Sequence, residues 1–234
     1  MAVLVFITGI DTDIGKTIAT GLMARFLSQK GYSVITQKMV QTGCQDMSDD
    51  ILIHRRLAGC DLLEEDKTGL TCPYLFSHAA SPHLAAQMEG KTIHPEVIFT
   101  ASQKLAQKFP ILLIEGAGGL FVPLNEKTMI IDYITQHSYP VILVSSSKLG
   151  SINHTLLSIE ALKNRGLTLS GLVYNRYPET DPAITQDSVR QMAKFMVHCG
   201  YPDRIVQIGK TDPKDPVTPD FGLIFDPLLN DSQG

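Results

Sequence analysis

Cysteine is scarce in this chain, with four residues in 234 (Cys44, Cys60, Cys72 and Cys199), and no two of them form a CxxC pair. That spacing excludes a zinc ribbon and points to reduced, unpaired thiols in a cytoplasmic protein rather than to a disulfide framework. The seven histidines show no metal-ligand spacing either. A basic block is also missing: 20 Lys and Arg against 24 Asp and Glu leave a net charge of −4 spread along the chain. Nucleic acid and anionic membrane surfaces are therefore poor partners. No apolar run reaches the length that spans a bilayer. The apolar start, residues 1–9, has no basic flank and runs into a glycine loop, so it reads as a buried strand and not as a signal peptide. Internal repeats and low-complexity segments are absent as well.

What is present is core material in a regular order. Hydrophobic residues make up 44% of the chain, enough for one large domain over residues 1–234. Short β-branched runs at 3–8, 33–38, 111–114, 140–144 and 167–174 alternate with helical stretches at 16–30, 96–108, 151–165 and 185–198. Glycines at 31 and 166 stand where helix C-termini use them. The run Ile111-Leu112-Leu113-Ile114 is apolar at every position, as a central strand covered on both faces must be. The pattern predicts an α/β fold with a single doubly wound, mostly parallel sheet flanked by helices, of the P-loop NTPase type. The Pro- and Asp-rich stretch 212–220 reads as a surface loop before a short apolar end at 221–229.

Between the first strand and first helix stands Gly9-Ile10-Asp11-Thr12-Asp13-Ile14-Gly15-Lys16-Thr17. Gly15 allows close backbone approach to phosphate oxygens, and the helix N-terminus behind it favours an anion. Lys16 reaches the outer phosphates and the Thr17 hydroxyl can join a Mg²⁺ shell. Gly9 lies one residue further back than the strict Walker A spacing, so the loop is a longer variant.

Glu115 follows the buried run 111–114 and precedes a glycine-rich turn, Gly116-Ala117-Gly118-Gly119, that leaves room for nucleotide or substrate. A carboxylate at that strand end lies where open α/β sheets bind ligands, and it can serve a metal beside phosphates. Lys16, Lys38 and Lys148 all fall at the same edge of the sheet, where together they would hold phosphates and a developing anion. Ser81 before Pro82 has the form of a helix N-cap. Ser151-Ile152-Asn153 opens another helix whose amides could receive a carboxylate. Asp49 and Asp50 open a helical stretch too, where acids by themselves need do no more than complement the helix dipole.

In order along the chain, several blocks resemble the dethiobiotin synthetase family. They are the phosphate loop from Thr8 to Thr17, Lys38, Thr42-Gly43, Ser81-Pro82-His83, Glu115 to Gly119, Lys148 to His154, and Asn175. The resemblance thins beyond Asn175. It implies an enzyme that uses ATP and CO₂ to close a cyclic urea on 7,8-diaminononanoate, through a carbamate and a carbamic-phosphoric anhydride. It further implies nucleotide contacts through Thr12, Asp13, Ile14, Gly15, Lys16, Thr17, Ile18, Asp49, Glu115, Gly116, Ala117, Gly118 and Asn175. Mg²⁺ falls to Thr17, Asp49 and Glu115, with Asp50 a rival because the loop from Gly43 is shorter than usual. Lys38 takes the catalytic role beside Lys16 and Lys148, and Thr42, Ser81, Ser151, Ile152 and Asn153 meet the substrate. His83 and His154 lie inside these blocks and read as structural. The family is homodimeric, with the substrate at the subunit interface, and cytoplasmic.

One departure concerns the nucleotide base. Where the family commonly has Asn-Asp near the adenine, this chain has Asn175-Arg176, and arginine only donates or stacks. A weaker preference for ATP is expected. The competing function class is a P-loop nucleotide switch of the partitioning type. Such a switch usually carries an extra lysine early in the loop, where Ile10, Asp11 and Thr12 stand, and needs a basic or amphipathic docking surface that the sequence does not offer. An amidase-coupled synthetase would need a second, glutamine-hydrolysing domain, for which 234 residues are too few.

Overall fold

The apolar runs become parallel strands, and their two-residue alternation decides what each side chain packs on. The computed structural model describes residues 2–230. Its first half contains β1 (Val3–Gly9), α1 (Lys16–Gln29), β2 (Val34–Lys38), β3 (Gln41–Thr42), α2 (Asp49–Ala58), α3 (Glu64–Lys67), β4 (Leu75–Phe76), α4 (Pro82–Met88) and α5 (Pro95–Ala106). There follow β5 (Ile111–Gly119), α6 (Ile130–His137), β6 (Val141–Ser146), α7 (Ser151–Asn164), β7 (Leu169–Asn175), α8 (Pro182–His198), β8 (Ile205–Ile208) and α9 (Gly222–Asn230).

Among the described residues six strands form one sheet in the order β2-β5-β1-β6-β7-β8, every pair parallel. Val5, Ile7, Leu113, Ile142, Val144 and Val173 face one side, where they meet Leu22 and Leu27 of α1 and Phe225 of α9. Phe6, Leu112, Ile114, Leu143 and Leu172 face the other, against Ile98, Ile131, Ile159 and Met192 of α5 to α8. Both faces are dry, which is why the strands read as continuous apolar runs. Each such side chain, once buried, contributes roughly 1.5–3 kcal/mol, so a charge at Ile114 or Leu143 would break the sheet. The expected doubly wound α/β class is the fold observed.

Strand β1 lies between β5 and β6, so the chain leaves it toward the β2 edge and later crosses back. The crevice beyond the C-terminal ends of β1, β2 and β5 is therefore the ligand position of the fold. Helix α2, which walls this crevice, has sharp ends. The Ser48 hydroxyl accepts from the Ile51 amide at 3.2 Å, and Gly59 closes the helix in the left-handed region.

Strand β5 runs further than its apolar portion, through Glu115 to Gly119, because Gly119 pairs with Gly9 across the sheet. Among the elements the sequence reading missed are three short strands without a periodic signal. The two-residue strands β3 and β4 pair only with each other, and the four-residue edge strand β8 buries just Val206 and Ile208.

Candidate active site

The phosphate loop takes the shape its glycines permit. Gly15 sits at φ 97° as the N-cap of α1, and a Cβ there would lie 2.4 Å from Asn175 Nδ2. Only glycine meets both conditions. Helix α1 starts at Lys16, so its first amides open toward the loop and suit an anion. The Lys16 side chain is buried and its Nζ donates to the Asp11 carbonyl at 2.7 Å. Burial, with the Lys38 charge beside it, lowers Lys16 to about 8.

A compact charged cluster faces this loop. Lys38 and Glu115 are register partners on β2 and β5. Lys38 Nζ lies 2.7 Å from Glu115 Oε1, 2.5 Å from Asp50 Oδ2 and 3.1 Å from the Gly116 carbonyl. Thr17 Oγ1 is 3.0 Å from Asp50 Oδ1 and 3.2 Å from Glu115 Oε1, so its one proton serves either carboxylate. The far oxygen of Glu115, Oε2, lies 2.7 Å from His54 Nε2. Burial alone would lower Lys38, but the Glu115 and Asp50 carboxylates more than offset it and hold the ammonium above the usual lysine range. Burial would likewise raise Glu115, yet the Lys38 charge and the His54 hydrogen bond keep it well below the usual carboxylate range.

The cluster opens into a cleft of about 830 Å³. One wall is the phosphate loop, with Thr12, Asp13, Gly15, Lys16, Thr17 and Ile18; Ala117 and Gly118 lie beside it. The opposite wall carries Thr42, Ala80, Ser81 and Pro82. Ser81 stands at the N-cap position of α4, but its side chain makes no capping bond and faces the cleft instead.

Other expected residues lie elsewhere. Ile14 is buried beneath the loop in the core formed with α1 and α9. Lys148 is exposed on the outer side of the loop, its Nζ 3.4 Å from the Asp13 carbonyl, so the three lysines do not converge: Lys16 and Lys38 do, and Lys148 stays outside. Ser151, Ile152 and Asn153 open α7 but do not line the cleft; the Ser151 hydroxyl pairs with Ser146 Oγ at 3.0 Å. Asn175 is tied into the protein: its Nδ2 donates to the Ile14 carbonyl and its Oδ1 accepts from the Tyr177 amide, both at 3.0 Å. Neither the Gly116 side nor Asn175 forms cleft surface, although Gly116 supplies a carbonyl to Lys38.

Of the two neighbouring acids, the geometry turns Asp50, not Asp49, toward the loop. Asp50 is the acid that reaches Thr17 and Lys38, while exposed Asp49 turns its Oδ2 toward Cys44 Sγ at 3.1 Å. Successive helix residues point about 100° apart, so only one of two neighbours can face the sheet. The buried residues Ile51, His54 and Leu57 mark the inward face of α2, and Asp50 lies one turn before His54 on it. The recurrence of Ile51, His54 and Leu57, with Asp50 four residues before His54, was the signal available in the sequence. His54 itself was passed over because no metal spacing accompanies it.

Among the described residues no group of three or more His, Cys, Asp or Glu forms a metal cage. Asp50, Glu115 and Thr17 instead bring together three hard oxygens at the loop mouth. That donor set fits Mg²⁺, which is commonly held by one or two carboxylates together with phosphates and water.

A family model described as an AAA domain matches residues 4–205. The chain is 54% identical over 196 residues to ATP-dependent dethiobiotin synthetase BioD 2 of Pasteurella multocida, covering 84% of this chain and 92% of that protein. It is 48% identical over 195 residues to ATP-dependent dethiobiotin synthetase BioD of Chlorobaculum tepidum, covering 83% and 82%. Among solved structures, a ParA family ATPase from Chlorobium tepidum TLS superposes with a TM-score of 0.54 over 98% of this chain and 90% of that one. Its identity is 14%, so the likeness extends to the fold alone.

Proposed function

Since the chain belongs to the ATP-dependent dethiobiotin synthetase family, we propose that it is the enzyme that forms dethiobiotin from 7,8-diaminononanoate, CO₂ and ATP. The observation that carries the reading is a single cleft with two dissimilar walls. One side of the lining offers a phosphate loop, two lysines and two acids, and the same cleft is lined by Thr42 and Ser81 as well.

The chemistry follows from the charges. One substrate amine, kept neutral beside Lys16 and Lys38, uses its lone pair to bond the carbon of CO₂ and releases a proton. A carbamate oxygen then attacks the γ-phosphorus and ADP departs, leaving a carbamic-phosphoric anhydride. The second amine attacks the carbonyl carbon, the ring closes, and phosphate leaves. The protein supplies position and charge: Lys16 and Lys38 neutralise the anions, and the helix α1 amides hold the phosphates. Mg²⁺, held by Thr17, Asp50 and Glu115, would spread the phosphate charge when bound. Lys38, paired with Glu115 and Asp50, would turn toward the transferring group if a metal took up those carboxylates.

The reading includes one domain over residues 1–234, a cytoplasmic location and a homodimer. No helix among the described residues is long and apolar enough to cross a membrane. The dimer accounts for Ser151, Ile152 and Asn153, whose helix start lies off the cleft of its own chain beside fully exposed Leu149. In a pair, that start would receive the substrate carboxylate of the other copy. Product analysis with ATP, Mg²⁺, bicarbonate and the diamine tests the function. Dethiobiotin, ADP and phosphate should appear in equal amounts. ATP turnover that ignores the diamine, as in a partitioning switch, would overturn the reading.

A further inference from the structure

A chain of buried hydrogen bonds leads from α3 to the cleft, and the reaction above uses only its last member. Asp66 accepts from Arg55 Nε and Nη2, both at 2.8 Å. Arg55 Nη1 donates to Thr36 Oγ1 at 2.9 Å, and Thr36 Oγ1 lies 3.1 Å from His54 Nδ1. His54 Nε2 completes the chain at Glu115 Oε2, 2.7 Å away. Thr36, His54 and Glu115 have no exposed surface, so no water substitutes for any of these partners.

The direction of each bond is decided by chemistry. A guanidinium has no acceptor and a carboxylate no donor. Arg55 must therefore donate to Thr36, and His54 must donate from Nε2 to Glu115. The Thr36 hydroxyl, accepting from Arg55, still has its own proton to give, and His54 Nδ1 is free to accept it. A histidine with a proton on Nε2 satisfies every member. In the other tautomer a nitrogen lone pair would face the carboxylate.

The two oxygens of Glu115 thereby become unequal. Oε2 is held by His54, while Oε1 faces Lys38 at 2.7 Å and Thr17 at 3.2 Å. We propose that His54 is a positioning residue: it pins Oε2 so that Oε1 alone is presented to the metal of the bound nucleotide. His54 and Asp50 lie one turn apart on α2, so one helix face carries both an acid of the site and the group that aims the other acid. The inference rests on the reading of Glu115 as a metal ligand.

Binding of Mn²⁺ to the enzyme–ADP complex, followed by electron paramagnetic resonance without turnover, tests it. In His54→Gln the side-chain amide can reach the place of Nε2; in His54→Asn it reaches only the place of Nδ1. Mn²⁺ affinity should stay within about threefold of the parent for Gln and fall by roughly 10–100-fold for Asn, the usual effect of losing a partner behind a metal ligand. A histidine that only fills space would give both variants the same affinity, and that result would overturn the proposal. Glu115→Gln separates the premise from the inference. If it binds Mn²⁺ like the parent, the reading of Glu115 fails; if it binds weakly while the two His54 variants agree, only the role of His54 fails. Should neither His54 variant fold, Thr36→Val, which keeps the branched shape but cannot donate to Nδ1, decides instead. Unchanged Mn²⁺ affinity there overturns the proposal, and a loss of the same size supports it.

Discussion

Lys38 and Glu115 sit directly opposite each other on neighbouring parallel strands, and the lysine ammonium bridges Glu115 Oε1 at 2.7 Å and Asp50 Oδ2 at 2.5 Å. The pair is almost wholly buried, with Lys38 5% and Glu115 0% exposed. A lysine at a strand end is ordinarily solvated, whereas Lys38 is locked into a buried ion-pair cluster that bears on the fold as well.

Lys38→Met should therefore reduce stability as well as turnover. Removing one partner of a buried pair typically costs about 3–5 kcal/mol, because the remaining charge is left uncompensated. Turnover should fall at least ~10²-fold, by analogy with losing one preorganised donor. Urea denaturation of Lys38→Met with Glu115→Gln should then recover part of the lost stability, a non-additive result. Additive losses in the double variant would show that the two residues are not coupled.

Asp50→Asn should lower Mg²⁺-dependent turnover by roughly 10–100-fold, while Asp49→Asn stays near the parent. The comparison reads the register of α2 directly. An impaired Asp49 variant beside a normal Asp50 variant would place the helix one residue out of phase.

Asp66 provides the pH-dependent term. Burial would raise its carboxyl, but the Arg55 fork and the Leu63 amide hold it below the usual value of 3.8. A depressed carboxyl contributes stability above its unfolded value and loses it as pH falls through the lower, folded one. Asp66→Asn should thus be less stable than the parent by about 3–5 kcal/mol at pH 7, since buried Arg55 loses its partner. The gap should narrow as the pH falls below 3.8, as measured by urea denaturation at a series of pH values. A gap that stays constant down to full protonation would remove Asp66 from the acid response.

The Asn175-Arg176 pair predicts a weak reading of the nucleotide base. The Asn175 amide is committed to Ile14 and Tyr177, and the Arg176 guanidinium lies against Gly209, where an added Cβ would meet it at 3.0 Å. If no acid accepts from the adenine amine, roughly one to two decades of discrimination should be lost. kcat/KM for ATP, GTP, CTP and UTP should differ by less than about a thousandfold. A larger ATP preference, unchanged in Arg176→Ala, would show that other groups read the base.

Much of this protein was legible from order and spacing alone. The apolar runs specified buried parallel strands because a strand covered on both faces has no polar alternation to show. Gly15-Lys16-Thr17 after such a strand located the phosphate site, since loop, lysine and helix start are contiguous in the chain. Contiguity is also where the reach of the sequence ended. Lys38, Asp50, His54 and Glu115 come from three elements spread over 78 residues, and their meeting depends on β5 inserting between β1 and β2. Whether Asp49 or Asp50 faces Thr17 is a matter of helix phase, settled by the burial of Ile51, His54 and Leu57 on the side of α2 that packs on α1 and β2. That Lys148 and residues 151–153 stand outside the cleft follows from where β6 and α7 lie in the sheet order. The sequence by itself determined which chemical groups the protein has at its strand ends. Tertiary structure decided which of them touch, because burial and ion pairing act through space and carry no mark in the local order of residues.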